Sequence, residues 1–266
     1  MSSTDPVAAL RAPFDEFRGR RVLVTGASSG IGACVGTAFA ALGAHVCLHY
    51  GRHAEAARSL AAALAGRGCT VATQGADLAI PGSAHQLVND AAATLGGLDL
   101  LINVAGAPLG RFAVEALDDT TCDDLLQLNL RAVIDACRAA LPHLRQAVHP
   151  AIVNTSSVAA RSGGGRGVWV YAAAKAGVES LTRSLARELG PAGIRVNAVA
   201  PGYIVTPIHD GFSSDDERRA YVAATPLGRG GTADECVGAY LFLACHGLSA
   251  FVTGQTLAVN GGLALN

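Results

Sequence analysis

The chain has 266 residues, 50% of them hydrophobic and 15% charged, with a formal net charge of −1. That length accommodates one large α/β domain with a sizeable core, and the near-neutral charge argues against a nucleic-acid or anionic-membrane surface. No run of eighteen apolar residues suggests a membrane span. The seven cysteines are scattered without a CxxC pair, so they read as free thiols in a reducing, cytoplasmic setting.

In chain order, residues 1–18 are polar and proline-containing, with no continuous apolar stretch. They read as a flexible arm rather than a targeting segment, leaving residues 19–266 as a single domain. Arg21-Val22-Leu23-Val24-Thr25 is short, apolar and rich in β-branched residues, as a buried strand should be. It runs into Gly26-Ala27-Ser28-Ser29-Gly30-Ile31-Gly32, and a helix is expected over 31–42. A strand, a glycine turn and a helix together suit dinucleotide binding. Glycine lets backbone approach a pyrophosphate closely, and the helix start offers unpaired N–H groups and a favourable dipole. Gly26, Ser28, Ser29, Gly30, Ile31 and Gly32 are therefore candidate cofactor residues.

Further strands are expected near 45–50, 69–75, 98–103, 150–156, 194–200 and 256–260, with helices near 53–66, 82–95, 123–146, 171–189 and 233–246. Such alternation implies an α/β fold of parallel βαβ units with helices on both faces. Ligands of such sheets gather outside the carboxyl ends of the strands. The eight histidines form no HxH or HExxH pattern, and no metal site is expected.

Tyr171 and Lys175 stand four residues apart in a predicted helix and so share one face. An ammonium beside a phenol favours phenolate, and on that ground the Tyr171 pKa is expected to fall. A phenol tuned in this way is a usable proton donor near neutral pH.

Together with Thr25-Gly26-Ala27-Ser28-Ser29-Gly30-Ile31-Gly32, the chain carries Asp77-Leu78, Asn103-Val104-Ala105-Gly106, Asn129, Ser156-Ser157, Tyr171-x-x-x-Lys175, Pro201-Gly202 and Thr253-Gly254-Gln255 in order. This set resembles the short-chain dehydrogenase/reductase family from about Arg20 to Gly262, and within it the 3-oxoacyl-carrier-protein reductase-like branch. The resemblance implies a single Rossmann-like, doubly wound domain. Its seven-stranded parallel sheet would have order 3-2-1-4-5-6-7, with a substrate lid over about 203–227. It implies hydride transfer between a nicotinamide and a carbonyl or secondary alcohol, with a β-ketoacyl thioester as one substrate. Sugar, steroid, polyketide or small-alcohol dehydrogenases are the alternatives within the family, and a non-catalytic dinucleotide-binding protein the alternative outside catalysis.

The same resemblance supplies the site. Tyr171 donates the proton, Lys175 lowers its pKa and bonds the nicotinamide ribose, and Ser157 orients the carbonyl. Ser157 is second in its serine pair, fourteen residues before Tyr171 where many relatives have thirteen; Ser156 is its competitor. Asn129 bends its helix and holds a water that links Lys175 to solvent. Asp77, Leu78, Asn103, Ala105, Gly106, Pro201, Gly202, Ile204 and Thr206 are further cofactor residues, with Val104 departing from the family's usual second asparagine.

At the end of the second strand, Tyr50 stands near the position where NAD-preferring relatives carry an aspartate, and Arg52 follows. With no carboxylate there and a guanidinium able to grip a 2′-phosphate, NADP(H) is favoured, with NAD(H) open. The expected partners are a small carbonyl or alcohol, free or carrier-bound, and further copies of the chain in a homotetramer or homodimer. Arg131, Arg138, Arg145, Arg183 and Arg187 are candidate carrier-docking residues.

Overall fold

The computed structural model of the protein describes residues 14–210 and 212–265. The first βα unit is β1 (Arg21–Val24) and α1 (Gly30–Ala41), followed by β2 (His45–Tyr50), α2 (Ala54–Ala65), β3 (Val71–Gly75), α3 (Ser83–Leu95) and β4 (Leu100–Asn103). After a long loop come α4 (Asp119–Leu126), a π-helical stretch (Gln127–Arg131) and α5 (Ala132–Leu144). Then follow β5 (Ala151–Thr155), the short α6 (Ala159–Ser162), α7 (Trp169–Leu189) and β6 (Arg195–Pro201). The remainder comprises β7 (Ile204–Val205), α8 (Asp215–Ala224), β8 (Gly231–Thr232), α9 (Val237–Ala244), α10 (His246–Ser249) and β9 (Thr256–Val259). The main sheet is parallel, of order β3-β2-β1-β4-β5-β6-β9. This is the expected order, its last strand renumbered because β7 and β8 form a separate two-stranded ribbon.

Side chains alternate across each strand, and both faces of this sheet are covered. Val22, Val24, Leu100, Ile102 and Val153 point into one apolar layer with Phe39 and Tyr240. Leu23, Leu101, Ile152 and Val196 point into the other with Leu87, Val88, Ala136 and Val178. Strand runs apolar at consecutive positions are thus what two buried faces demand. Among the described residues no helix is long and apolar enough to cross a membrane.

Three differences from the sequence reading have physical causes. The expected arm over 1–18 lies outside the described residues up to residue 13, but Phe14–Arg18 packs onto the core. Phe17 is fully buried, edge-on to Phe39 with ring centroids 5.0 Å apart. Glu16 accepts hydrogen bonds from the His246 and Gly247 amides, at 2.7 and 2.8 Å. The helix expected as one piece over 123–146 is broken by the π-helical turn around Asn129. The polar stretch 203–227 contains α8, started by a capping box between Ser214 and Glu217.

Candidate active site

The carboxyl ends of β1, β2, β4, β5 and β6 open on one cavity of about 850 Å³. One end is built by the glycine turn. Ser28, Ser29, Gly30, Ile31 and Gly32 line it, and α1 begins there with no side chain capping its first amides. A Cβ at Gly32 would collide with the Gly26 carbonyl oxygen, so the turn can close this tightly only without a side chain. Those amides and the helix dipole suit a pyrophosphate. Thr25 ties this turn to the next, its Oγ1 accepting from the Val104 and Ala105 amides at 2.9 and 3.1 Å.

His49 is a brace that sequence reading missed. Its Nδ1 accepts from the Gly26 amide at 3.0 Å, and its Nε2 lies 3.0 Å from the Ala76 carbonyl. Accepting at one nitrogen and donating at the other requires the neutral ring, and burial does lower the His49 pKa. The available signal was a histidine facing a glycine turn from the neighbouring strand end.

Asp77, Leu78, Ala105, Gly106, Pro201, Gly202, Ile204 and Thr206 line the cavity, as does Arg52 at its exposed rim. Two expected cofactor residues do not. The Tyr50 ring packs over Gly75, with the Arg58 guanidinium 6.0 Å from its centroid. The Asn103 side chain is buried and donates to Asn154 Oδ1 at 2.9 Å, an amide network that continues from Asn154 to Thr182. Both belong to the sheet, because alternation turns their side chains away from the opening; His49, Gly51 and Val104 line it nearby.

The other end holds the titratable groups. Ser157, Tyr171 and Lys175 all line the cavity, and the Ser157 hydroxyl accepts from the Ala159 amide at 3.1 Å while lying near enough to the Tyr171 phenol to favour its ionised form. Ser156 is buried and donates to Glu179 Oε1 and to the Lys175 carbonyl, at 3.1 and 3.2 Å. The two adjacent serines therefore have separate environments, since successive side chains leave the strand end on opposite sides. Between Ser157 and Tyr171 the chain forms a loop after α6 in which Gly163, Gly164 and Gly167 all have positive φ.

Lys175 is 2% exposed and donates to the Thr155 carbonyl at 2.9 Å. Its ammonium lies 5.6 Å from the Tyr171 ring centroid. The expected fall in the Tyr171 pKa is not what this environment produces. Burial raises it, and the neighbouring Ser157 hydroxyl only partly opposes that. Burial also pushes Lys175 down, to about 8. Desolvation is the largest cause for both groups because both are enclosed. Asn129 is fully buried and does not line the cavity. Its amide clamps Ala107, with Oδ1 accepting from the amide at 3.0 Å and Nδ2 donating to the carbonyl at 2.8 Å. Nδ2 also donates to the Leu125 carbonyl, which lies within the helix that the π turn interrupts.

Residues 26–264 match the family model described as enoyl-(acyl carrier protein) reductase. The 3-oxoacyl-[acyl-carrier-protein] reductase FabG of Escherichia coli strain K12 is 36% identical over 247 residues, 93% of this chain and 98% of that one. A short-chain dehydrogenase from Burkholderia cenocepacia J2315, solved in complex with NADP, superposes with TM-score 0.86 at 34% identity, covering 93% and 98%. The NADH-dependent reductase A1-R′, described as responsible for alginate metabolism, superposes with TM-score 0.87 at 34% identity, covering 95% and 100%. The chain belongs to the short-chain dehydrogenase/reductase family and is an oxidoreductase. Within that family its likeness is to the FabG-like branch.

Proposed function

We propose that the protein transfers a hydride between NADP(H), in preference to NAD(H), and a carbonyl or secondary alcohol carbon. The observation that carries this reading is the cluster of Ser157, Tyr171 and Lys175 on one wall of a cavity whose far wall is a glycine turn at a helix start. That far wall fits a dinucleotide: its glycines admit close backbone approach, and the amides of α1 have no side-chain cap. When bound, the nicotinamide supplies or accepts the hydride.

The protein's own residues handle the oxygen and its proton. Ser157 donates a hydrogen bond to the carbonyl oxygen. Tyr171, held protonated by burial, gives its proton to that oxygen as negative charge develops. The Lys175 ammonium then stabilises the phenolate. Asn129 acts through position: by clamping Ala107 it fixes the backbone beside Lys175, which supports a path for proton resupply.

Arg52 supports the preference for a 2′-phosphate, as no carboxylate stands beside it at the end of β2. The NADP complex of the Burkholderia relative favours the same choice, while the NADH-dependent A1-R′ keeps NAD(H) within the family's range. A β-ketoacyl thioester is the specific substrate reading, supported by likeness to FabG. For carrier docking, Arg131 and Arg138 already pair with Asp135, and Arg183 with Glu179, which leaves Arg145 and Arg187 as candidates. Self-association through the edge strand β9 is supported by exposed Leu257 and fully exposed Phe251 beside it. Seven free cysteines fit a reducing cytoplasm.

The test is NADPH consumption, followed by absorbance, with ketones, β-ketoacyl thioesters and sugars. Tyr171→Phe should lower kcat by about 10²–10⁴-fold while NADPH still binds. Near-normal turnover in that variant would refute the assignment.

A further inference from the structure

Arg111, in the loop after β4, binds three segments at once. Its Nη1 donates to the Arg166 carbonyl at 2.7 Å, in the glycine loop before α7. Its Nε donates to the Phe212 carbonyl at 3.3 Å. Its Nη2 reaches the Tyr221 hydroxyl at 3.3 Å and pairs with Glu217 Oε1 at 3.1 Å, both on α8. The guanidinium also lies 4.6 Å from the Phe212 ring centroid. These contacts span more than a hundred residues of sequence. The segments they join face the cavity beyond Tyr171 through Leu109, Gly165, Phe212, Ala220, Tyr221 and Ala224, none of them charged.

We propose that Arg111 is a positioning residue that sets this substrate-facing wall by locking α8 and the glycine loop to the segment after β4, and that the wall accepts a carbonyl compound with an uncharged, apolar body. The proposal rests on the hydride-transfer reading for its substrate, but not for the lock. A planar fork of donors suits such a role, because it fixes several acceptors in one geometry where a lysine would hold one or two. With its charge matched by Glu217 and its donors taken by carbonyls and the phenol, Arg111 is not offered to a substrate carboxylate or phosphate.

The experiment compares wild type with Arg111→Leu, and with Tyr221→Phe and Glu217→Gln in case the first does not fold. Amide hydrogen exchange of Asp215–Ala224 is measured without substrate, together with NADPH affinity and steady-state kinetics. In Arg111→Leu, exchange of α8 should quicken at least about tenfold while the main sheet is unchanged. KM for an uncharged ketone should rise about tenfold, with kcat within about threefold and NADPH affinity within about twofold. Tyr221→Phe and Glu217→Gln should move KM and exchange the same way by less.

Unaltered exchange of α8 would overturn the lock. So would kcat, KM and NADPH affinity worsening in equal proportion, which marks general damage. A wild type that prefers a keto acid or a phosphorylated ketone to its uncharged analogue would overturn the substrate class. Faster exchange in a protein that reduces no carbonyl at all would uphold the lock and refute the hydride-transfer reading instead.

Discussion

Asn129 Oδ1 and Lys175 Nζ both stand against Gly106, so close that one methyl group on its Cα would lie 2.7 Å from the first and 2.9 Å from the second. The turn after β4 therefore leaves room for Lys175, whose ammonium is held by the Thr155 carbonyl, only because residue 106 has no side chain. Gly106→Ala should push both groups aside. Displacements near 1 Å at a reacting centre cost on the order of 10²-fold in rate. The expected result is a kcat loss of roughly that size. A variant that keeps wild-type kcat would show that Lys175 tolerates movement.

The pH dependence of reduction should follow Lys175 rather than Tyr171. Burial holds Lys175 at about 8, so its charge is present below that pH and lost above it. Tyr171 is raised and stays protonated over the same range. Rate should be level at lower pH and fall about tenfold per pH unit above about 8, where the phenolate loses its countercharge. Lys175→Met should be slow throughout and lack this limb. The same shift has a stability consequence of opposite sense. The unfolded lysine keeps its proton to about 10.4 and the folded one does not, so folding gains from this group as pH rises between the two values. A kcat profile flat to pH 10 would contradict the assignment.

Ser156 and Ser157 should separate cleanly. Ser157→Ala removes the hydroxyl on the cavity wall and should reduce kcat about 10²-fold, while losing the bond it accepts from the Ala159 amide should cost at most about 0.5–1.5 kcal/mol. Ser156→Ala removes one buried donor from Glu179, which keeps its ion pairs with Arg161 and Arg183, and should cost about 0.5–1.5 kcal/mol of stability, with turnover largely kept. Thermal melts and kinetics on the same two preparations decide between them.

Arg52→Ala should weaken NADPH far more than NADH, by about tenfold in relative affinity, as expected for loss of one charge-assisted contact at an exposed rim. Titration of both cofactors measures it. Equal effects on the two would mean that Arg52 is a solvated surface side chain.

Phe17→Ala should destabilise the protein by about 3–5 kcal/mol, the usual cost of emptying a fully buried aromatic site. Kinetic constants of the folded fraction should not change, because neither Phe17 nor its partner Phe39 lines the cavity. Denaturant unfolding gives the number. A loss under about 1 kcal/mol would return Phe14–Arg18 to the status of an arm.

Short-range patterns carried much of this in the amino-acid order alone. A four-residue spacing put Tyr171 and Lys175 on one helical face, an apolar strand running into glycines marked the anion-binding turn, and alternating strands and helices implied a parallel sheet covered on both sides. These follow from periodicity, glycine sterics and the helix dipole, which act over a few residues. Burial and distant contacts decided the rest. They buried the Ser156 hydroxyl against Glu179 while Ser157, on the same cavity, stays partly exposed, turned Tyr50 and Asn103 away from the cavity, and made Phe17 part of the core. They raised the Tyr171 pKa where a neighbouring charge alone would lower it, since desolvation depends on everything packed around the phenol. The Arg111 lock is of the same kind: its partners lie 55 to 110 residues away, and only the folded chain brings them within reach.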